Sequence, residues 1–422
     1  MPTRGDATPS SNMNPLELAR DLRRRARARM QLVPRKLRVA PADVTIIVLG
    51  WNRKDDTLAC LESLRQATLD GASVLVVDNG SRDGTAEAVR AAFPEVRVIA
   101  LPENRGYAGG NNAGMRAALA AGARAVLLLN NDTVVEPSFL RPLLDVFNTN
   151  ARAAAVSGAV LRADSPEVLE VAYLDVYFGH GLVHRRGVNA MPGEGFDTVR
   201  NVDAALGSCV LIRASALQAI GLLDEAFFAY HEEVEWCMRA RKAGYEVLFQ
   251  PYARVWHGGS RSTEALVKPL GTPRTQKSGE ALPNAIPLSW NPVRTYLGAR
   301  NAVRFIRLHA GLRRRVYFAL SSLYAVPLEL LAVVMGREED LMLGLWTYRR
   351  AFVRYCLDPA EGNTGGLGTR LLRMPLRLLW AFPRDVVRAH RAGRTAQLVE
   401  HCRGLWDGIR DRPLPLERLG LR

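Results

Sequence analysis

The stretch Ala125-Val-Leu-Leu-Leu-Asn-Asn-Asp-Thr133 reads as a buried β-strand running straight into an acidic tip. Its apolar run calls for burial on both faces of a sheet, the habit of internal parallel strands. Asp132 then emerges at the strand's carboxyl end, where open α/β sheets bind their ligands. A carboxylate there suits a divalent cation holding a diphosphate, since hard cations choose oxygen ligands. Asn-Asp also makes plain turns, so the upstream chain decides between the two readings.

Upstream, the pattern alternates. Strands are expected at 44–49, 74–77, 96–100 and 126–129, with helices between them at 55–66, 83–92 and 110–121. Such alternation with short connections means parallel strands joined by right-handed crossovers. Residues 150–260 are more mixed, with strands expected near 154–158, 210–213 and 246–250. A helix is expected over 232–243, stopped by Gly244.

Each of the first four strands ends in a polar loop, and in a parallel sheet these loops share one edge. They are Gly50-Trp-Asn-Arg53, Asp78-Asn-Gly-Ser-Arg-Asp-Gly-Thr85, Asn104-Arg-Gly-Tyr-Ala-Gly-Gly-Asn-Asn112 and Asn130-Asn-Asp-Thr133. Asp78 can accept from a base N–H or a ribose hydroxyl. Glycines 106, 109 and 110 let backbone approach a phosphate, and the helix that follows favours negative charge at its N-terminus. Arg53 and Arg105 can add phosphate contacts. No G-x-G-x-x-G follows the first strand, so the dinucleotide fingerprint is excluded.

With these loops, Asp224-Glu-Ala-Phe-Phe-Ala-Tyr230, Glu232-Glu-Val-Glu-Trp-Cys-Met-Arg239 and Trp256-His-Gly-Gly-Ser260, residues 42–260 resemble the family 2 glycosyltransferases. The likeness is to the rhamnosyltransferase-like members of bacterial cell-surface polysaccharide synthesis. The resemblance implies an α/β GT-A fold, a Rossmann-like mixed sheet flanked by helices. It also implies a nucleotide-diphospho-sugar donor, a Mg²⁺ or Mn²⁺ ion and inversion at the anomeric carbon. Asp78 would hold the base, and the Asn131–Asp132 pair would take the ribose and metal positions. Asn52, Arg53, Gly80, Asn104, Arg105 and Gly106 complete the expected donor site. Many relatives carry two acids where Asn131–Asp132 stand, which leaves this site one carboxylate poorer. His257 matches a histidine that completes the metal site in some relatives.

Glycosyl transfer needs the acceptor hydroxyl deprotonated as it attacks. The run Glu232-Glu-Val-Glu235 opens a helix, where the dipole favours ionised acids. By likeness to a Glu-Asp pattern whose second acid is the base, Glu233 is the expected catalytic residue, although Glu is one methylene longer than Asp. Glu235 and Arg239 are expected to pair at i, i+4, and Trp236 to lie in the core. His180 and His184 read as loop residues.

Of the net charge of +15, residues 1–41 hold +7 and residues 290–422 hold +12, which leaves the middle at −4. Basic arms of this kind point to an anionic surface as partner. Residues 1–41 read as a disordered, basic amphipathic leader, helical over 15–38, and 261–289 as a mobile loop. Residues 290–422 read as a basic amphipathic helical region that associates with membrane. The apolar run 316–335 holds Pro327 and Glu329, which fits an interfacial, re-entrant or buried helix better than a clean span. Five scattered cysteines and no visible secretory signal suit a reducing interior.

The leading expectation is an inverting transferase at the cytoplasmic face of the inner membrane, peripheral or free in the cytoplasm. Its acceptor would be a lipid-linked glycan or a polysaccharide. The competing readings are another nucleotide-handling transferase and a catalytically weakened scaffold. Nucleic acid is not an expected partner, because the arms lack interleaved aromatics.

Overall fold

The computed structural model describes residues 38–178, 182–191, 194–258, 292–320, 322 and 395–421. The leader helix expected over 15–38, apart from its last residue, the loop over 261–289, His180 and most of the run 316–335 lie outside the described residues.

Four parallel strands form the first arm of a ten-stranded sheet: β1 (Val44–Gly50), β2 (Ser73–Asp78), β3 (Arg97–Ala100) and β4 (Ala125–Asn130), in the order β4-β1-β2-β3. Between them run α1 (Lys54–Gln66), α2 (Thr85–Ala92) and α3 (Gly106–Ala120). β1 and β4 take the centre because Ile46, Ile47, Val48, Val126 and Leu127 are all fully buried, each stabilising the fold by about 1.5–3 kcal/mol. β3, with Arg97 and Ala100 exposed, forms the edge, where charge blunts edge-to-edge pairing. On one face Val44, Ile46 and Val48 pack with Cys60, Leu61 and Leu64 of α1. The same cluster takes in Phe139 and, from α4 (Leu140–Thr149), Leu140, Leu143 and Phe147.

Beyond β4 the strand order leaves the sequence order. β4 is parallel to β1 on one side only; its other neighbour is the antiparallel β11 (Cys209–Arg213). β11 pairs with β6 (Ala153–Arg162), and β6 pairs in parallel with β12 (Glu246–His257). Three short strands attach here. β5 (Thr133–Val135) pairs with β12, β7 (Leu169–Val171) with β6, and β10 (Arg200–Asn201) with β12. β8 (Tyr173–Val176) and β9 (Val183–Arg186) form a separate two-stranded sheet. His184, read from sequence as a loop residue, therefore lies on a strand, with its ring against Tyr177.

β12 is longer than the expected 246–250. It breaks register against β6 between Gln250 and Arg254 and continues to His257. Pro251 is tolerated at that irregularity, where the ladder is interrupted. Gly158 is required opposite it, since a Cβ there would stand 2.3 Å from the Ala253 carbonyl oxygen. α5 (Ala214–Ile220) and α6 (Glu232–Lys242) connect β11 to β12, and Gly244 follows α6 at φ +92°.

The chain divides into two compact units. The sheet belongs to the one made of Met1–Asp175, Arg185–Glu225 and Glu233–Gly259; the other takes Val176–His184, Ala226–Glu232 and Ser260–Arg422. In the second, α7 (Pro292–His309) packs on α8 (Thr395–Ile409). Gly404 and Gly408 let the backbones close, because a Cβ at Gly404 would meet the Tyr296 carbonyl oxygen at 2.3 Å. Asn301 of α7 is fully buried and directs its side-chain amide at the carbonyls of Phe227, Ala229 and Tyr230, each at 2.8 Å. Phe228, Tyr230 and His231 there have φ of +64°, +69° and +74°. Among the described residues no helix is long and apolar enough to cross a membrane.

Candidate active site

The carboxyl ends of β1, β2 and β4 lie side by side, with Gly50 in register with Asp78 and Leu49 with Asn130. The loops they launch are tied to one another. Asn52 donates its N–H to the Ser81 hydroxyl at 2.8 Å and accepts from the Arg82 N–H at 2.8 Å. The Arg53 N–H donates to Asp83 at 2.7 Å, and the Arg53 guanidinium pairs with Asp56 at 2.6 Å. Asp78 is buried and accepts from the Ser81 N–H at 3.1 Å. Gly80 has φ +76°, and a Cβ on it would overlap the Glu103 backbone at 2.6 Å, so it brings the second loop against the third.

Asn79 holds that third loop. Its amide donates to Asn104 Oδ1 and the Gly106 carbonyl, both at 3.0 Å, and its oxygen accepts from the Arg105 N–H. Asn104 Oδ1 also accepts from the Gly106 N–H at 2.9 Å. α3 therefore begins at Gly106 rather than at the expected residue 110. A Cβ on Gly110 would meet Leu49 at 2.5 Å, so this glycine serves packing of α3 against the sheet. Glu225 gathers Arg105 at 3.1 Å, Arg116 at 2.7 Å and Asn112 at 2.9 Å. Burial works against the Glu225 carboxylate, but these donors outweigh it and hold its pKa below the usual range.

The fourth loop meets β12. Asn131 is buried and donates to Thr57 Oγ1 at 2.9 Å, while that hydroxyl donates to the Arg53 carbonyl. The β5–β12 ladder sets His257 opposite Thr133. This brings His257 Nε2 to 3.2 Å from Asp132 Oδ1 and 3.2 Å from Asn130 Nδ2. Nδ1 of the same ring lies 2.7 Å from Glu170 Oε2 of β7, and Arg185 reaches Glu170 Oε1 at 2.9 Å. Burial pushes the imidazole pKa down, but hydrogen bonds and charge from Asp132 and Glu170 overcome this and lift it to about 10. The Glu170 carboxyl is pushed up by burial and pulled down further by His257 and Arg185, so it lies below its ordinary range.

Among the described residues no three His, Cys, Asp or Glu side chains surround a common cation position. The Asp132–His257 pair offers one carboxylate oxygen and one imidazole nitrogen on the same side. That donor set departs from the all-oxygen habit of Mg²⁺ sites and would suit a transition-metal cation such as Mn²⁺ that completes its shell with diphosphate and water. Glu170 stands behind the ring, on the nitrogen facing away from Asp132.

Three glutamates open α6. Glu235 is buried and doubly bonded to Arg239 Nε at 2.9 and 3.0 Å, the expected i, i+4 pair. Glu232 is also buried, whereas Glu233 is half-buried. Trp236 is in the core, as expected, and donates Nε1–H to the Gly221 carbonyl.

A mixed sheet flanked by helices, with acid- and amide-bearing loops at the carboxyl ends of its parallel strands, is the GT-A architecture. The model of the family described as "Glycosyl transferase family 2" matches residues 45–221. An N-acetylglucosaminyl-diphospho-decaprenol L-rhamnosyltransferase of Mycobacterium tuberculosis is 31% identical over 221 residues, covering 48% of this chain and 72% of that protein. A low-salt glycan biosynthesis hexosyltransferase of Haloferax volcanii is 31% identical over 124 residues, 29% of this chain and 38% of that one. Among solved structures, GalNAc-T7 with UDP, GalNAc and Mn²⁺ aligns at TM-score 0.45 and 15% identity, over 63% of this chain and 47% of that one. A mannosyltransferase of Pyrobaculum calidifontis in complex with GDP-Man and Mn²⁺ aligns at 0.44 and 16%, over 93% and 96%. The chain belongs to glycosyl transferase family 2, and it is a rhamnosyltransferase-like glycosyltransferase.

Proposed function

We propose that this glycosyltransferase moves a sugar, L-rhamnose from dTDP or a UDP-linked sugar, onto a lipid-linked or polysaccharide acceptor of the cell envelope, with inversion. The observation that carries the reading is the meeting of Asp132 with His257 past the end of β4, on the same sheet edge as Asp78 at the end of β2, with β1 between them. Asp78 would hold the base and Asn131 the ribose, while Asp132 and His257 would hold Mg²⁺ or Mn²⁺. A cation at that pair would neutralise the diphosphate as it leaves. Glu233 takes the proton of the acceptor hydroxyl while that oxygen bonds to the anomeric carbon and the sugar–diphosphate bond breaks. Glu233 suits this better than its neighbours, since Glu235 is consumed by Arg239 and Glu232 is buried.

The acceptor class is drawn from the mycobacterial relative, whose name describes transfer to a diphospho-decaprenol carrier. A lipid carrier would bring the enzyme to the cytoplasmic face of the membrane. In the second unit, Leu312, Val316 and Leu320 are exposed in a helical stretch (312–320) that also exposes Arg313, Arg314 and Arg315. Apolar and cationic side chains together suit an anionic lipid surface.

The test is binding of UDP, dTDP and GDP, with and without Mn²⁺, to the wild type and to Asp132→Ala. Metal-dependent binding of one nucleotide, lost in the variant, is expected. No binding of any nucleotide under either condition would overturn the reading.

A further inference from the structure

We infer that Glu170 is a positioning residue for His257: it fixes the ring so that Nε2 is presented toward Asp132 for the cation they would share. The inference rests on the metal role proposed above and assigns a residue outside every loop motif of the chain.

Four segments distant in sequence build the arrangement. β7 alternates Leu169 in, Glu170 out, Val171 in, as a strand must with a period of two. β7 and β12 both pair with β6, which brings the Glu170 carboxylate to His257 Nδ1 at 2.7 Å. Arg185 binds the other Glu170 oxygen at 2.9 Å, so the carboxylate is itself held in place. The imidazole is nearly fully buried, with one nitrogen on each of two carboxylates.

The chemistry follows from the two nitrogens. A histidine that binds a cation must offer a lone pair from one nitrogen while the other keeps its proton, and a carboxylate accepting that proton sets both tautomer and ring orientation. With Glu170 on Nδ1, the nitrogen left for coordination is Nε2, the one facing Asp132. Without Glu170 the ring could turn, or place its proton on Nε2, and the site would drop to the single ligand Asp132. A site with Asn131 in place of a second acid depends more heavily on that second ligand.

The experiment is Mn²⁺ titration followed by the electron paramagnetic resonance of free Mn²⁺. It is run with full-length protein saturated with UDP or dTDP, whichever the wild type binds. The proteins are wild type, Glu170→Ala, Glu170→Gln, His257→Ala and the Glu170→Ala/His257→Ala double variant. Glu170→Ala is expected to raise the Mn²⁺ Kd about 10–100-fold. Glu170→Gln should fall between it and the wild type, and it carries the test if the alanine variant does not fold. The double variant should bind as His257→Ala alone, because Glu170 acts only through the ring; independent roles would add. Wild-type Mn²⁺ affinity in both Glu170 variants beside a weakened His257→Ala, or additive effects in the double variant, would overturn the inference while leaving the metal role standing. A wild type that takes up no Mn²⁺ with either nucleotide would defeat the metal role itself, and the inference with it.

Discussion

The two arms of the sheet are built by different rules. In the β3-β2-β1-β4 arm all pairings are parallel, two of the three join strands consecutive in the chain, and the candidate site residues Asn52, Asp78 and Asn104 sit at strand ends or in the turns that follow them. In the β11-β6-β12 arm the order is scrambled, and His257 arrives through a strand that breaks register and resumes. Glu170 reaches His257 across 87 residues of sequence. The first arm places its side chains by local turn chemistry; the second places them by register. A small change should therefore be absorbed in the first arm and propagated in the second.

The largest expected effect lies with Glu233, the base proposed above. Glu233→Gln should lower the transfer rate by about 10²–10⁴-fold while nucleotide and Mn²⁺ affinities hold; near-normal turnover would move the base elsewhere. Next comes the register of β12. Gly158→Ala forces a methyl against the Ala253 carbonyl, which should cost on the order of 1–3 kcal/mol in a denaturant titration. The same variant should weaken Mn²⁺ binding although it touches neither of the proposed ligands, Asp132 and His257. Unchanged metal affinity would break the claim that register delivers His257.

In the first arm, Asn131→Asp should not improve the site despite supplying the second acid common among relatives. Thr57 spends its hydroxyl proton on the Arg53 carbonyl and presents a lone pair to Asn131. A carboxylate there would lack its donor, at about 1–3 kcal/mol. A variant as stable as the wild type would show that the hydroxyl reorients freely.

The gentlest effect is a slope. His257 titrates near 10 in the folded chain against an ordinary value of 6.5, so its contribution to stability is complete below about 6.5 and fades as pH rises toward 10. Metal-free protein should lose stability across that window, and His257→Gln should flatten the loss. Glu170 has the opposite sign, its contribution fading as pH falls through its depressed value. An equally steep alkaline loss in His257→Gln would assign the slope to other groups.

The contrast between the arms also explains what could be read from the residues. Apolar runs mark β1, β2 and β4 to within a residue or two, and the Asp or Asn at the ends of β2 and β4 marks Asp78 and, two residues past Asn130, Asp132. The start of α3 was misplaced because Asn104, two residues before it, receives the Gly106 N–H through its side chain. β12 looked short because Pro251 falls at its irregularity. Glu170 could not be singled out, since Leu169-Glu-Val171 is ordinary strand alternation and its meaning depends on a histidine far along the chain. Asn79 stands in the turn-like run Asp78-Asn-Gly80 and Glu225 in the run Asp224–Tyr230, and nothing in either spacing marks a joint between loops. Only their partners reveal them as the points where loops are joined.

The loop from Phe227 to His231 depends on its clamp. Left-handed backbone at non-glycine positions costs roughly 1–2 kcal/mol per residue, and Phe228, Tyr230 and His231 all adopt it while one buried amide on α7 gathers the carbonyls around them. A gene fragment trimmed to end after residue 258 would encode that loop without Asn301. Such a fragment would be expected to relax there and offer proteases a cut on the threshold of Glu233, so the minimal unit for expression is set by an asparagine some seventy positions downstream of the loop it holds.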